Sequence, residues 1–227
     1  MVITLESVMN EVSSVEKLII RNETEQDYTI VENITREAFW NLHVPGCDEH
    51  YVAHVLRKHE DFIPELDLVA ELDGQVVGNI MYTKARLIDE SKNTKIILTF
   101  GPLSVLPEFQ RRGISKTLLE HSFEKAMELG FDTIVIFGHP GNYVSHGFKS
   151  CKKYNVCLDN DLFPTAMLVK ELRQGALDGR KWYYQESPAY KFDSTKVQEF
   201  DIKFVPKEEK YQASQEEFYV YGHSIIR

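Results

Sequence analysis

Apolar and polar positions along the chain change period several times, and each change marks an expected element. Leu18–Arg21 (LIIR) reads as a short buried strand. Thr24 is placed to cap an amphipathic helix over residues 25–40, where Tyr28, Ile30, Val31, Ile34, Ala38 and Phe39 recur at helical spacing. VPGCDEH breaks the chain before a second helix over residues 49–59. Asp73-Gly74 is a hairpin signal between strands at Val69–Leu72 and Val76–Thr83. Residues 94–106 continue as a further strand, interrupted by Gly101-Pro102, where proline predicts a bulge or an irregular edge. After Pro107 the period turns helical: Ile114, Leu118, Leu119, Phe123, Ala126 and Met127 form a stripe, and Gly130 stands where a helix stops. TIVIF (residues 133–137) has the composition of a fully buried strand, and NYVSHGF (142–148) reads as a short helix ended by Gly147. YNVCL and TAMLVKEL are strand-like. Beyond Gly175 the pattern weakens, with WYYQ as one more strand in a polar, heterogeneous tail.

Runs of strands alternating with single helices predict an α/β chain, an α+β sandwich built on one mixed sheet. Hairpin-length links between the middle strands exclude a barrel of parallel strands or a doubly wound sheet. The expected division is an N-terminal extension (1–17), one catalytic or binding domain (18–174), and a C-terminal extension (175–227) packing on or beside the core.

Composition agrees with one large domain: 227 residues, 43% hydrophobic and 27% charged. A formal charge of −9 argues against nucleic acid or an anionic membrane as the main partner. Cys47, Cys151 and Cys157 are odd in number and lack close pairing, which fits a reduced, cytoplasmic compartment. The opening residues carry acids and no long apolar run, so neither a secretory signal nor a membrane span is expected.

The chemistry concentrates in EFQRRGISKTLLE (residues 108–120). Ser115-Lys116-Thr117 suggests half of a nucleotide-hydrolase P-loop. That motif would need glycines at 110 and 115, where Gln110 and Ser115 stand, and the buried strand that follows ends in Gly138-His139 rather than an acid. What remains is an anion site. Amides from Arg111 to Lys116 would point out of a helix N-terminus, Gly113 lets the backbone approach a phosphate, and Arg111, Arg112 and Lys116 add positive charge.

The order strand (ILTFGPLSVL), PEFQRRGIS, amphipathic helix, buried strand and PGNYVSHGF resembles the GNAT superfamily of N-acetyltransferases. The resemblance covers about Leu18 to Leu172. Its loop pattern is [QR]-x-x-G-x-[GA], and Gln110, Gly113 and Ser115 fall on the three fixed positions. Ser115 departs from the usual glycine or alanine, and its hydroxyl is placed to donate to a phosphate. The resemblance implies the GNAT acyl-CoA N-acyltransferase fold and acetyl-CoA as cosubstrate. Its pyrophosphate would lie on Gln110, Arg111, Arg112, Gly113, Ile114, Ser115 and Lys116, and its pantetheine arm along Leu103, Ser104 and Val105. It also implies direct attack by a primary amine of a small molecule or peptide, with Tyr143 as general acid. The general base is left open. Glu71 reads as a solvated strand residue, and Cys151 and Cys157 as small residues on buried strands.

Cys47, His50 and His54 offer a metal-like spacing but lack a fourth ligand, so no metal is expected. In the resembling family this segment borders the acceptor site. The alternative function is a catalytically silent acyl-CoA-binding module with an interaction or regulatory role, and the sequence leaves a homodimer open.

Overall fold

A computed structural model describes residues 17–227. The extension expected over residues 1–17 lies outside them, apart from Lys17. The chain opens with strand β1 (Leu18–Asn22), helices α1 (Tyr28–Phe39) and α2 (Glu49–Leu56), then strands β2 (Leu68–Leu72), β3 (Gln75–Asp89) and β4 (Thr94–Val105). It continues through α3 (Ile114–Glu128), β5 (Thr133–Phe137), the short α4 (Pro140–Tyr143), β6 (Lys149–Ser150), β7 (Val156–Cys157) and β8 (Met167–Glu171). The last elements are β9 (Trp182–Gln185), α5 (Ser194–Asp201) and α6 (Ala213–Gly222). No helix among the described residues is long and apolar enough to cross a membrane.

The sheet runs β1-β2-β3-β4-β5-β8-β6, with β9 added to the outer half of β3 and β7 beside it. All named neighbours are antiparallel except β4 with β5 and β7 with β9. Strand alternation sorts side chains onto two faces. Leu68, Ala70, Ile80, Tyr82, Leu98 and Ile134 turn toward Leu118, Leu119, Phe123 and Ala126 of α3. Val69 and Val76 turn the other way, onto Val31 and Ile34 of α1. Met81 joins Val52, Ala53 and Leu56 of α2 on that same face.

Local chemistry explains the boundaries. Asp73 (φ 50°) and Gly74 (φ 85°) both take the left-handed region, as a two-residue hairpin with native twist requires. Gly130 (φ 89°) ends α3, where the Phe131 amide donates to the Ala126 carbonyl at 3.0 Å and the Gly130 amide to that of Met127 at 3.1 Å. The first helix departs from expectation and begins at Tyr28 rather than after Thr24. Asp27 is fixed by a two-point bond to Arg21 (2.7 and 2.9 Å), and its carboxylate accepts from the Thr24 amide and hydroxyl, so Thr24 belongs to a turn. Cys151 is buried, but it opens a 3₁₀ turn (Cys151–Tyr154) rather than sitting in a strand; Cys157 is buried on β7 as expected.

Asp67, at the mouth of β2, is 5% exposed. Desolvation and the Glu23 carboxylate beside it push its carboxyl well above the usual range, against the opposing Arg57. The folded protein therefore keeps a proton there that the unfolded chain releases, and stability falls as pH rises above the ordinary aspartate value. Asp67→Asn removes that proton uptake. It is expected to raise stability by about 1–2 kcal/mol at pH 8, with the gain shrinking toward pH 4, read by urea unfolding at the two pH values.

Residues 175–227 pack against the core within the same chain. The guanidinium of Arg36 in α1 is held by Asp201 of α5 at 2.6 and 3.0 Å and lies 4.2 Å from the Trp40 ring centre. It is 2% exposed, so the tail covers this charged position of α1 while Thr29, Asn33 and Glu37 stay exposed. Further on, Gln215 of α6 donates to the Asn41 carbonyl at 3.0 Å, and the Thr165 amide donates to the Ser224 carbonyl at 2.9 Å. These contacts fix α6 at both ends.

Candidate active site

The site begins where β4 and β5 part. The two strands share one ladder pair, Leu98 with Ile134. Beyond it β4 stays on β3, through Leu103–Ile80, Ser104–Asn79 and Val105–Gly78, while β5 stays on β8. The register of β4 shifts opposite Met81, so that Gly101 and Pro102 face one residue of β3. This is the bulge that the proline predicted. The strands run parallel, so the elements following each lie at the same edge of the fork, where open α/β sheets admit ligands.

After β4 the chain turns through Pro107–Phe109. The Gln110 side-chain amide donates back to the Val105 carbonyl at 3.0 Å and ties the loop to the strand end. Arg111 (φ 61°) and Gly113 (φ 84°) both adopt left-handed backbone, and Gly113 is the residue that caps α3. The first amides of a helix have no acceptor within it. Among the described residues, no acceptor takes the amides of Gly113, Ile114, Ser115 or Lys116, while the Gly113 carbonyl accepts from Thr117 at 3.0 Å. Ile114 is buried and anchors the turn, leaving Arg111, Arg112, Ser115 and Lys116 exposed around it. Arg112 lies 5.4 Å from the Phe109 ring centre, and Lys116 is 3.8 Å from Glu120. The loop presents donors, a helix dipole and positive charge at one point, a combination suited to a phosphate.

The segments expected along the fork do not all face it alike. Leu103 packs partly into the α3-side core and Val105 fully. Ser104 turns its hydroxyl toward α1, donating to Thr35 Oγ1 at 3.1 Å, so only its backbone faces the fork edge.

Tyr143 ends α4, one turn beyond β5. His139 caps this helix by accepting from the Gly141 amide at 3.1 Å. The phenol ring lies 5.7 Å from Phe100 of β4 and 5.8 Å from Phe148, centre to centre. Burial, with Tyr221 adding to it, pushes its hydroxyl up to about 12, so it carries its proton at neutral pH. Gly138 makes room for the ring: a Cβ there would stand 2.5 Å from Tyr143 Cε2. Sequence reasoning missed Gly138, although its place directly after TIVIF was the available signal. Gly138→Ala is expected to displace the phenol and destabilise the fold by about 1–3 kcal/mol, measured by thermal unfolding.

The opposite side of the fork is bounded by the α1–α2 segment and the tail. Cys47 and His50 meet at 3.4 Å, but His54 turns away to Glu32 at 2.8 Å, and His50 instead faces Asp201 at 3.1 Å. Burial pushes the Cys47 thiol up and the His50 imidazole down, leaving both neutral. Glu71 is engaged by Arg21 at 2.8 Å. Rings of α6 reach both rims: Phe218 stacks on His43 at 4.4 Å, and Tyr221 meets His139 edge-on at 4.9 Å. Nothing in the tail's weak periodicity pointed to this placement.

Comparison with known proteins agrees with this geometry. A model of the acetyltransferase (GNAT) family matches residues 32–150. The uncharacterized N-acetyltransferase YjhQ of Escherichia coli K12 is 32% identical over 96 residues, 42% of this chain and 52% of YjhQ, so the match spans about half of that relative. The uncharacterized N-acetyltransferase YhbS of the same strain is 25% identical over 163 residues, 71% of this chain and 92% of YhbS. The crystal structure of Escherichia coli YhbS in complex with CoA shares the fold, with a TM-score of 0.66 and 21% identity over 78% of this chain and 94% of that one. A Brucella melitensis GNAT family acetyltransferase in complex with acetyl-CoA does so with a TM-score of 0.61 and 23% identity, over 77% and 99% of the two chains. The family model covers more than half of the chain, on the strands, loop and helix that build the fork, and the chain therefore belongs to the acetyltransferase (GNAT) family.

Proposed function

We propose that this protein transfers the acetyl group of acetyl-CoA to a primary amine by direct attack. The observation that carries the proposal is the cluster of unpartnered amides behind Gly113, at the edge where β4 and β5 part. Solved relatives of the same fold hold CoA and acetyl-CoA, which supports the choice of donor. In this reading Gly113 to Lys116 bind the pyrophosphate through main-chain N–H groups, with Arg111 and Arg112 adding charge. Gln110 positions the loop through its bond to Val105. The β4 backbone from Leu103 to Val105 borders the pantetheine arm, and N–H groups beside the bulge face the charge that develops on the thioester oxygen.

Tyr143 supplies the proton for the departing sulfur. Its raised pKa keeps the phenol protonated at neutral pH, and because a thiolate is the weaker base the proton passes in concert with C–S cleavage, the phenol being restored by the proton that leaves the attacking nitrogen. No cysteine is poised for an acyl-enzyme: burial pushes the thiols of Cys47, Cys151 and Cys157 up, and each is buried. The test is thiol release from acetyl-CoA in the presence of polyamines, amino acids and arylalkylamines. Amine-dependent release with one acetylated amine per thiol supports the reading. Saturable acetyl-CoA binding without release across the panel contradicts it.

A further inference from the structure

Helix α6 lies beyond residues 32–150, which the family model matches, and no step of the proposed transfer uses it. It is tied down on two sides of the fork. At its start, Gln215 donates to the Asn41 carbonyl at 3.0 Å, in the segment between α1 and α2. That segment follows α1, which is bonded to β4 through Ser104 and Thr35 at 3.1 Å. Past its end, the Ser224 carbonyl accepts from Thr165 at 2.9 Å, and the Ile226 amide donates to the Phe163 carbonyl at 2.8 Å. These residues lead into β8, whose Met167 pairs with Phe137 at the end of β5. Helix α6 therefore runs from the β4 side of the fork to the β5 side and spans the gap between them.

The face it turns inward is aromatic. Gln215, Phe218 and Tyr221 recur every three residues and share one side of the helix. Phe218 stacks on His43, Tyr221 meets His139 edge-on, and the two α6 rings meet each other at 5.5 Å. Both are half-buried, whereas Glu216, Glu217, Tyr219 and Val220 are exposed. His139 adjoins Gly138, against whose backbone the Tyr143 ring rests, and it caps the helix that ends in Tyr143. Phe100 of β4 lies behind Tyr143. Rings thus follow one another from the inner face of α6 to the strand along which the thioester would lie.

We infer that α6 is the outer wall of the acceptor site, and that Phe218 and Tyr221 select a primary amine carried on a flat aromatic body, an arylalkylamine. The inference rests on the acetyltransferase reading and names the acceptor class for it. The cofactor arm enters from the loop at the start of α3, so the amine reaches the carbonyl by the other mouth of the fork, which α6 spans. Rings in that mouth act in two ways. They pack against an aromatic body edge-on or offset, and their faces attract an ammonium group. The acids of α6, Glu216 and Glu217, are exposed, so its inner face offers rings rather than carboxylates. One ammonium on an aromatic body suits such a wall better than a polyamine, whose several charges call for several carboxylates.

Steady-state kinetics with phenethylamine, propylamine and spermidine test this in the wild type, Phe218→Ala, Phe218→Leu and Tyr221→Ala. The wild type should favour phenethylamine over propylamine by about tenfold or more in kcat/KM. Each variant should lose most of that preference, through a rise of about tenfold in KM for phenethylamine, with acetyl-CoA affinity unchanged. Val220→Ala, at an exposed position of the same helix, should alter neither. Phe218→Leu keeps apolar bulk, so a loss of preference at unchanged thermal stability separates recognition from packing. Equal kcat/KM for phenethylamine and propylamine, a preference for spermidine, or a preference that survives in all three variants would overturn the inference and leave the acetyltransferase reading intact. Acetyl-CoA binding without turnover of any amine would remove that reading. NMR titration of the CoA-loaded protein with phenethylamine then decides the wall by itself. A Kd weakened about tenfold by Tyr221→Ala supports it, and an unchanged Kd overturns it.

Discussion

Tyr143→Phe is expected to lower kcat by about 10²–10³-fold while acetyl-CoA binds as before. The reason is local. The ring rests on the Gly138 backbone and against Phe100 and Phe148, all apolar contacts that phenylalanine reproduces. Tyr143 is half-buried, and its contacts among the described residues are those of the ring, so removing the hydroxyl should leave the fold intact. What is lost is the proton for the departing thiolate. The slowed step should therefore respond to the leaving group: an acyl donor with a more acidic thiol should recover much of the rate in the variant and little in the wild type. A rate unchanged by Tyr143→Phe would assign the ring to packing alone. Stopped-flow thiol detection with the two donors separates these outcomes.

Gly113→Val should weaken acetyl-CoA binding by about 10²-fold, the equivalent of one or two charge-assisted hydrogen bonds. A side chain at this position would meet nothing within 4 Å, so crowding inside the protein is not the cause. The cause is the φ of 84°, which a β-branched residue resists at a cost of roughly 1–3 kcal/mol. Relief of that strain turns the first amides of α3 away from their common focus. Gly113→Ala should show the same effect more weakly. Calorimetric titration of both variants with CoA measures it, and a normal CoA affinity in Gly113→Val would move the pyrophosphate site elsewhere.

Features set by neighbours in sequence could be read from the chain, and those set by distant partners could not. Gln110, Gly113 and Ser115 lie within one loop, where a single glycine and the helix start determine the backbone. The bulge at Gly101-Pro102 followed from one residue that cannot complete a ladder. The hairpin at Asp73-Gly74 and the stop at Gly130 were equally local. By contrast, Thr24 looked like a helix cap because nothing nearby revealed that Arg21 would fix Asp27 and move the helix start to Tyr28. Tyr190 meets Gly101 across 89 residues, and Arg36 meets Asp201 across 165. Neither contact leaves a periodic trace, because one polar atom from the tail suffices to make it. The same holds for α6, whose Phe218 and Tyr221 meet rings on both rims while Tyr219 and Val220 stay exposed. Its pattern therefore looked heterogeneous, and the far wall of the site was hidden with it.

The account stands most directly on where acetyl-CoA lies. A crystal structure of the protein with CoA should place the pyrophosphate within hydrogen-bond distance of the amides from Gly113 to Lys116, and the pantetheine arm between β4 at Leu103–Val105 and β5. Its sulfur should lie near the Tyr143 hydroxyl. CoA seated with its pyrophosphate away from this loop, or its arm outside the fork, would contradict the account.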